Sequence, residues 1–241
     1  MTATDLFQAG RLDEAVLALG VELRRDPTDS KRRTFLFELL CFSGEYDRAE
    51  KQLDILADSS HEAAMGSLLY RSALQAERTR RRMFETGDFP LGAAPPVGGQ
   101  VDDRRCESIE DADPRLGARL EVYAAGAYLW IPFQHISSVE IQPPKRLRDL
   151  LWIPALLHTS PAFKGRELGE VLLPVLTPLA WKHPDAEVRL GRQTQWQASP
   201  DGEAIPAGQK MFLADEDECP ILEVRRLQFS APPAAAVETQ S

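Results

Sequence analysis

The sequence predicts an α+β fold, in which an N-terminal helical unit like a tetratricopeptide repeat packs on a C-terminal domain of short, largely antiparallel strands. Apolar residues recur at helical spacing in the first part of the chain, two similar segments lie 34 positions apart, and strand patterns broken by prolines follow. We expect four parts: a helical domain at 1–86, a linker at 87–117, an α+β domain at 118–230 and a flexible tail at 231–241.

The helical part contains a paired unit. GRLDEA at 10–15 and GEYDRA at 44–49 share a glycine, a large apolar residue, an aspartate and an alanine in the same order. Their 34-residue spacing is the period of tetratricopeptide repeats, in which the glycine ends one helix and the small residue packs the next. A proline-free stretch from about residue 61 to 84 predicts one long further helix. Because stable arrays need about three repeats, we expect that helix or the second half of the chain to cover the pair. An ordinary pair of helical hairpins with this spacing by chance is the alternative.

Glycine, proline and aspartate cluster in residues 87–117, which indicates the linker. Strand patterns follow it. RLEVYAAGAYLWIPF predicts two strands that turn at Ala125 and Gly126. Further strands are predicted in these segments: HISSVEIQPP, RDLLWIPALL, LGEVLLPVL, AEVRLGRQTQW, GQKMFLA and PILEVRRLQF.

The charge, hydropathy and cysteine content of the chain limit the classes of function that it can have. The formal charge of −9 disfavours binding to nucleic acid or anionic membranes, which requires a surplus of lysine and arginine. The sequence has no apolar run of about 20 residues and no signal-peptide pattern at its start, so we expect a cytoplasmic protein. Its three cysteines are far apart and odd in number, which favours reduced thiols.

No motif for catalysis or metal binding stands out. The chain lacks a Gly-x-Ser-x-Gly elbow, a phosphate-binding loop and any close His or Cys pair, so we predict no enzyme, cofactor or metal. His158 beside Thr159 and Ser160, with Asp149 upstream, is the nearest approach to a catalytic triad, and a hydrolase remains an alternative. The acidic run at 215–218 could in principle hold calcium, but a solvated hairpin turn is favoured.

Segments in both halves of the chain resemble one family. RRTFLFELLCFSGEYDRAEKQL at 32–53 is similar to the most recognisable helical segment of the ImpE (SciE, TagJ) family, whose members are associated with bacterial type VI secretion systems. The second half resembles the same family, in family order, at these places: DADPRLG at 111–117, Glu121, GAYLWIPF at 126–133, PPKRLRDLLWIPA at 143–155, VRLGRQTQW at 188–196 and PILEVRRLQF at 220–229. One segment departs, because VLTPLAW at 175–181 replaces the expected Arg-Tyr-Pro-Gly-Ser-like stretch.

The resemblance implies a noncatalytic adaptor that binds the small subunit of the contractile sheath through that subunit's N-terminal helix. It also implies a link to the AAA+ ATPase that recycles contracted sheath. A general scaffold of the tetratricopeptide type, unrelated to secretion, is a further alternative.

Repeat helices leave a groove into which an amphipathic helix can lay its apolar face. The helix KRRTFLFELLCF would line this groove, and Arg32, Arg33, Phe37 and Glu38 are the residues we expect to face a partner. A position for Phe37 inside the repeat stack is the alternative.

Two charged segments have other predicted roles. PPKRLRDLLW predicts the junction between the two halves, at Arg148, Asp149 and Trp152, where its basic residues could pair with Asp111 and Asp113. The basic run from Arg78 to Arg82 near the end of the long helix either offsets the helix dipole or docks an acidic surface.

Overall fold

The fold is described by a computed structural model, which covers residues 1–90, 92, 94–165, 167–199 and 202–230. The predicted tail at 231–241 lies outside the described residues. The α-helices of this part of the chain are α1 (Ala3–Gln8), α2 (Leu12–Arg25), α3 (Ser30–Phe42), α4 (Tyr46–Ala57), α5 (His61–Thr86) and the single-turn α6 (Ala186–Arg189). The prediction of an α+β fold with an N-terminal helical unit is confirmed.

The helical unit consists of two helical hairpins followed by α5. Gly10 and Gly44 end α1 and α3 with φ of +71° and +70°, a left-handed conformation that glycine adopts without strain. Side-chain oxygens of Asp29 and Ser60 cap the N-termini of α3 and α5 by accepting backbone N–H bonds. The predicted long helix is therefore one continuous element of 26 residues.

The second half forms a sheet of ten strands and a separate two-stranded ribbon. In chain order the strands are β1 (Val97–Val101), β2 (Arg104–Asp111), β3 (Arg119–Ala124), β4 (Ala127–Pro132), β5 (Ile136–Ile141), β6 (Trp152–Thr159), β7 (Gly169–Pro174), β8 (Gln195–Ala198), β9 (Ala204–Ala207), β10 (Met211–Ala214), β11 (Asp217–Pro220) and β12 (Arg226–Phe229). The sheet order is β11-β10-β2-β1-β12-β5-β6-β7-β3-β4, with antiparallel pairing throughout, and β8 pairs with β9.

The predicted hairpin at Ala125 and Gly126 is present as the turn between β3 and β4. Both residues have positive φ, +48° and +82°, as a two-residue type I′ turn requires. The acidic run at 215–218 also lies in a hairpin, with Asp215 and Glu216 in the turn after β10 and Asp217 and Glu218 at the start of β11. Strand β4 is one edge of the sheet and packs against α5, whereas β11 is the other edge and carries acidic residues that discourage strand addition.

Two segments differ from the sequence prediction. Strands β1 and β2 lie inside residues 87–117, the predicted linker, and occupy the interior of the sheet. Gly99 sits there because a Cβ atom would lie 1.9 Å from the carbonyl oxygen of Gln228 on β12, so this glycine permits close strand packing instead of a turn. The segment AEVRLGRQTQW, predicted as a strand, begins with α6, where the Asp185 side chain caps the helix, and only its end belongs to β8.

Candidate functional site

The face of α3 that was predicted to receive a partner is filled by the chain itself. Phe37 is 0% exposed, and its ring lies 5.9 Å from that of Tyr70 on α5 and 6.4 Å from that of Trp152 at the start of β6. The rings of Tyr70 and Trp152 stack at 6.1 Å. Phe37 is therefore a core residue of the contact between the two halves, and its predicted role in facing a partner is wrong.

Glu38 is buried beside Phe37 for a similar reason. Its carboxylate lies 3.1 Å from the Arg148 guanidinium, which also covers the ring of Tyr70 at 5.0 Å. Burial raises the pKa of Glu38, and the attraction of Arg148 opposes that rise. Glu38 thus belongs to the same internal contact and does not present a free carboxylate to a partner.

The two arginines predicted with them contact residues of the helical unit itself. Arg32 pairs with Glu22 at 3.0 Å and with Asp29 at 2.7 Å, and it is exposed. Arg33 donates to the side chain of Gln52 at 3.0 Å and to the carbonyl of Pro27. Arg32 therefore ties α3 to α2, and Arg33 ties α3 to α4 and to the connector that precedes it.

The structure places two of the three predicted junction residues across the two halves. Trp152 donates its indole N–H to Glu77 of α5 at 3.1 Å, and Arg148 reaches Glu38 as described. Asp149 instead accepts the backbone N–H groups of Lys145 and Arg146, so it shapes its own turn. The predicted pairing of this segment with Asp111 and Asp113 does not form.

A buried group of charges joins α5 to the sheet at a point that the sequence did not indicate. Arg80 donates to both carboxylate oxygens of Glu121 on β3, at 2.7 and 2.8 Å, and to the carbonyl of Leu176 at 2.9 Å. Lys210 bonds the same carboxylate at 2.7 Å and also pairs with Asp111 on β2. All four charged side chains are buried, so each depends on the others for its compensation.

The pKa values of the two carboxylates in this group shift in opposite directions. Burial alone would raise the pKa of Glu121, but Arg80 and Lys210 lower it to about 2. Burial raises the pKa of Asp111 to about 7, because Lys210 only partly offsets the desolvation and the nearby charge of Glu121 adds to the rise. The four residues come from α5, β3, β2 and the position before β10 and all are buried, which suits a structural ion network that holds these four segments together.

The rest of the basic run on α5 is also used inside the chain. Arg78 pairs with Asp47 at 2.9 Å and Glu50 at 2.7 Å, which binds α5 to α4. Arg81 lies 3.8 Å above the ring of Trp181. Arg78 and Arg81 are therefore engaged within the chain and are not available to an acidic partner surface. Arg82 is exposed.

Both repeat turns contact the second half of the chain. A Cβ atom at Gly44 would lie 2.6 Å from the ring of Trp181, and one at Gly10 would lie 1.9 Å from the Glu187 carboxylate. The segment 175–181, where the sequence departs from the family pattern, thus ends in the tryptophan that covers the second repeat turn. It also contributes Thr177, whose hydroxyl accepts the Gly208 N–H at 2.9 Å. The expectation that the second half covers the pair of repeats agrees with this arrangement.

An open groove remains on the other side of α5, between its N-terminal half and the sheet. It encloses about 500 Å³ and is lined mainly by apolar side chains of α5, β3, β6 and β7: Leu69, Tyr70, Ala73, Tyr123, Ala125, Pro154, Ala155, Leu156, Val171 and Leu172. Ser72, Gly126, Gln142 and Glu170 complete its wall. Clefts of this size with an apolar lining are the usual form of a binding site.

The groove continues onto an exposed apolar stripe of α5. Met65, Leu68 and Leu69 are 58%, 57% and 50% exposed, and their spacing of three and four residues puts them on one face with Ser72. Large apolar side chains grouped in this way on a surface indicate an interaction site. The sequence predicted only that these residues belong to the long helix. Residues buried in a core and residues covered by a partner recur with the same helical period, so the period alone does not distinguish them.

No alternative chemistry assembles within the part of the chain that the structure describes. His158 lies at the surface, 3.9 Å from Glu167, and the nearby Ser160 hydroxyl donates to the Gln134 carbonyl. Asp215 accepts two backbone N–H groups of β2. The described residues contain no group of three or more His, Cys, Asp or Glu that could hold a metal, and no described helix is both long and apolar enough to cross a bilayer.

Two comparisons with known proteins identify one family, and a third shows the fold. The family model "ImpE protein" matches residues 103–228. The chain is 31% identical to the type VI secretion system accessory component TagJ of Pseudomonas aeruginosa, over 95% of this chain and 91% of that protein. A crystal structure of a Vibrio parahaemolyticus protein has the same fold, with a TM-score of 0.82 at 23% identity, covering 96% of this chain and 98% of that one. This chain therefore belongs to the ImpE family.

Proposed function

We propose that this chain is a noncatalytic adaptor of a bacterial type VI secretion system, which acts in the cytoplasm and binds a helix of the small sheath subunit. The support for the system is the similarity to an accessory component over nearly the whole chain. The support for helix binding is the groove of about 500 Å³ beside α5 and the exposed apolar stripe that extends it.

The shape and chemistry of the groove suit a helix as ligand. From Met65 to Ala73, α5 runs for roughly 12 Å at 1.5 Å per residue, which is long enough to pack beside about two turns of a second helix. An amphipathic helix presents apolar residues at spacings of three and four, as Met65, Leu68 and Leu69 do. The groove therefore replaces the repeat face of α3 as our proposed docking site.

Calorimetric titration of the full chain with a peptide of the small sheath subunit's N-terminal helix tests the proposal. Leu68→Lys places a charge in the middle of the stripe, and we expect it to weaken binding at least about tenfold, or ~1.4 kcal/mol. Ile55→Lys is the matched control, because Ile55 is 50% exposed, close to the 57% of Leu68, but lies on α4 and is not part of the groove lining. Equal binding by both variants would reject the groove, and absence of binding by the unmodified chain would reject the sheath helix as ligand.

We propose the link to the sheath-recycling AAA+ ATPase as an indirect one, through the sheath subunit. The charged surfaces of α5 that could have docked a second protein are largely paired internally, as Arg78 is with Asp47 and Glu50. Capture of the ATPase by this chain should then require the sheath subunit and should disappear with Leu68→Lys. Capture of purified ATPase without the sheath subunit would show direct contact instead.

A further inference from the structure

Helix α2 has an exposed apolar face that lies apart from the groove. Leu17 is 69% exposed and Val21 is 40% exposed, and they follow one another at a spacing of four residues on the outward side of the first hairpin. Gly20 lies beside them, and a Cβ atom built on it would meet no heavy atom within 4 Å. A glycine in the middle of a helix costs about 0.5–1 kcal/mol relative to alanine, so packing inside this chain does not account for it.

The charges at the two ends of this face have opposite signs. Glu14 lies one turn before Leu17, and Arg24 lies one turn after Val21. Both side chains are exposed, and Glu14 pairs with Arg11 at the surface. Part of this pattern serves the helix dipole, which favours acids at the start and bases at the end of a helix.

The same pattern is complementary to itself. In a contact with two-fold symmetry, if residue i of one copy meets residue j of the other, then j also meets i. Suppose that two copies of α2 pack antiparallel and cross beside position 19. Leu17 of each copy then meets Val21 of the other, and Glu14 of each copy meets Arg24 of the other. Gly20, next to the axis, lets the two backbones approach closely, and the antiparallel helix dipoles add to the attraction.

We propose that the outward face of α2 binds a second copy of this chain in a symmetric, antiparallel contact. The choice of a second copy rests on the self-complementary order of acid, apolar pair and base along one helix. Because a single helix pair buries less than the roughly 1,200 Å² of a standard stable interface, the dimer is weak and depends on concentration. The site lies on a different helix from the groove, so the two bindings are independent.

Sedimentation velocity of the full chain over a wide range of concentration tests the contact. We expect the unmodified chain to shift from monomer towards dimer as concentration rises, and Leu17→Glu to lose this shift. Gly20→Leu should lose it as well, although leucine favours the helix more than glycine does. Thermal melts of both variants show whether they remain folded, which surface positions of this kind should allow.

A mixing experiment distinguishes this geometry from other kinds of association. Glu14→Arg and Arg24→Glu should each remove dimerisation, because each puts like charges opposite one another at both contacts. An equal mixture of the two variants restores opposite charges at both contacts and should form a heterodimer. A monomeric unmodified chain at every concentration would overturn the proposal, and so would a mixture that stays monomeric while the unmodified chain dimerises.

Discussion

The contact between the two halves can be tested by truncating Phe37, which packs on Tyr70 of α5 and Trp152 of β6. Because Phe37 is 0% exposed, Phe37→Ala leaves a cavity that the surrounding helices fill only in part. Buried Phe→Ala substitutions cost about 3–5 kcal/mol, a large fraction of the 5–15 kcal/mol by which most proteins are stable. For a chain of this size that corresponds to a fall in Tm of roughly 6–20 °C.

Urea denaturation, followed by circular dichroism and by tryptophan fluorescence, measures this loss. All four tryptophans lie in the second half of the chain, whereas the helical signal reports mainly on the first half. We expect both signals to shift together in Phe37→Ala, because the ring joins the two cores. Met65→Ala is the control, and as an exposed substitution it should change stability by no more than about 0.5 kcal/mol.

Two results would refute this reasoning. A loss below about 1 kcal/mol in Phe37→Ala would mean that the ring is not packed between the halves. A shift of the helical signal alone, with unchanged fluorescence, would mean that the halves unfold independently and that Trp152 does not couple them.

Three further predictions concern the buried charges and a repeat turn. Glu121→Gln leaves the buried Arg80 without its main counter-charge and leaves Lys210 with Asp111 alone, so it should cost about 3–5 kcal/mol in urea denaturation, whereas the exposed Glu216→Gln should be nearly neutral. Burial raises the folded-state pKa of Asp111 from 3.8 to about 7, so between these pH values the folded chain holds a proton on Asp111 that the unfolded chain has lost. The stabilisation from this proton should decline as pH rises from about 4 to 7. Asp111→Asn should remove this part of the dependence of the unfolding free energy on pH. Gly44→Ala should cost more than about 1 kcal/mol, because alanine resists the left-handed backbone and its methyl group meets the ring of Trp181; Trp181→Ala in the same chain should recover only the steric part, and a neutral Gly44→Ala would reject this account.

The parts of the fold that follow local rules were predictable from the sequence. Gly10 and Gly44 predict helix ends because few other residues adopt their left-handed backbone angles. The proline-free run from about residue 61 to 84 predicts α5. Ala125 and Gly126 mark a hairpin because residues of alternating character lie on both sides. In each case the information lies within a few residues of the element that it specifies.

Errors arose where a distant segment decides the environment. The helical period of α3 shows that Phe37 shares a face with its neighbours, but the residue that covers this face, Trp152, comes 115 positions later. The glycines of β1 suggest a turn when read locally, and only the neighbouring strand shows why Gly99 lies in a sheet. The burial of Glu38 could have been predicted from its place among five large apolar residues. Its pairing with Arg148 could not, because that residue lies far away in the sequence.

Helix α5 combines two roles that the structure keeps apart along its length. Its C-terminal half is held to the sheet by Arg80, whose ion pair with Glu121 is buried and hard to rearrange. Its N-terminal half contacts β6 through the stacked rings of Tyr70 and Trp152 and lines the groove, with Leu68 facing solvent. A ligand in the groove therefore lies apart from the buried charges and meets the outer side of the Phe37 contact only at Tyr70. It follows that substitutions in the exposed stripe should change affinity with little change in stability, while substitutions at Arg80 or Phe37 should change stability first.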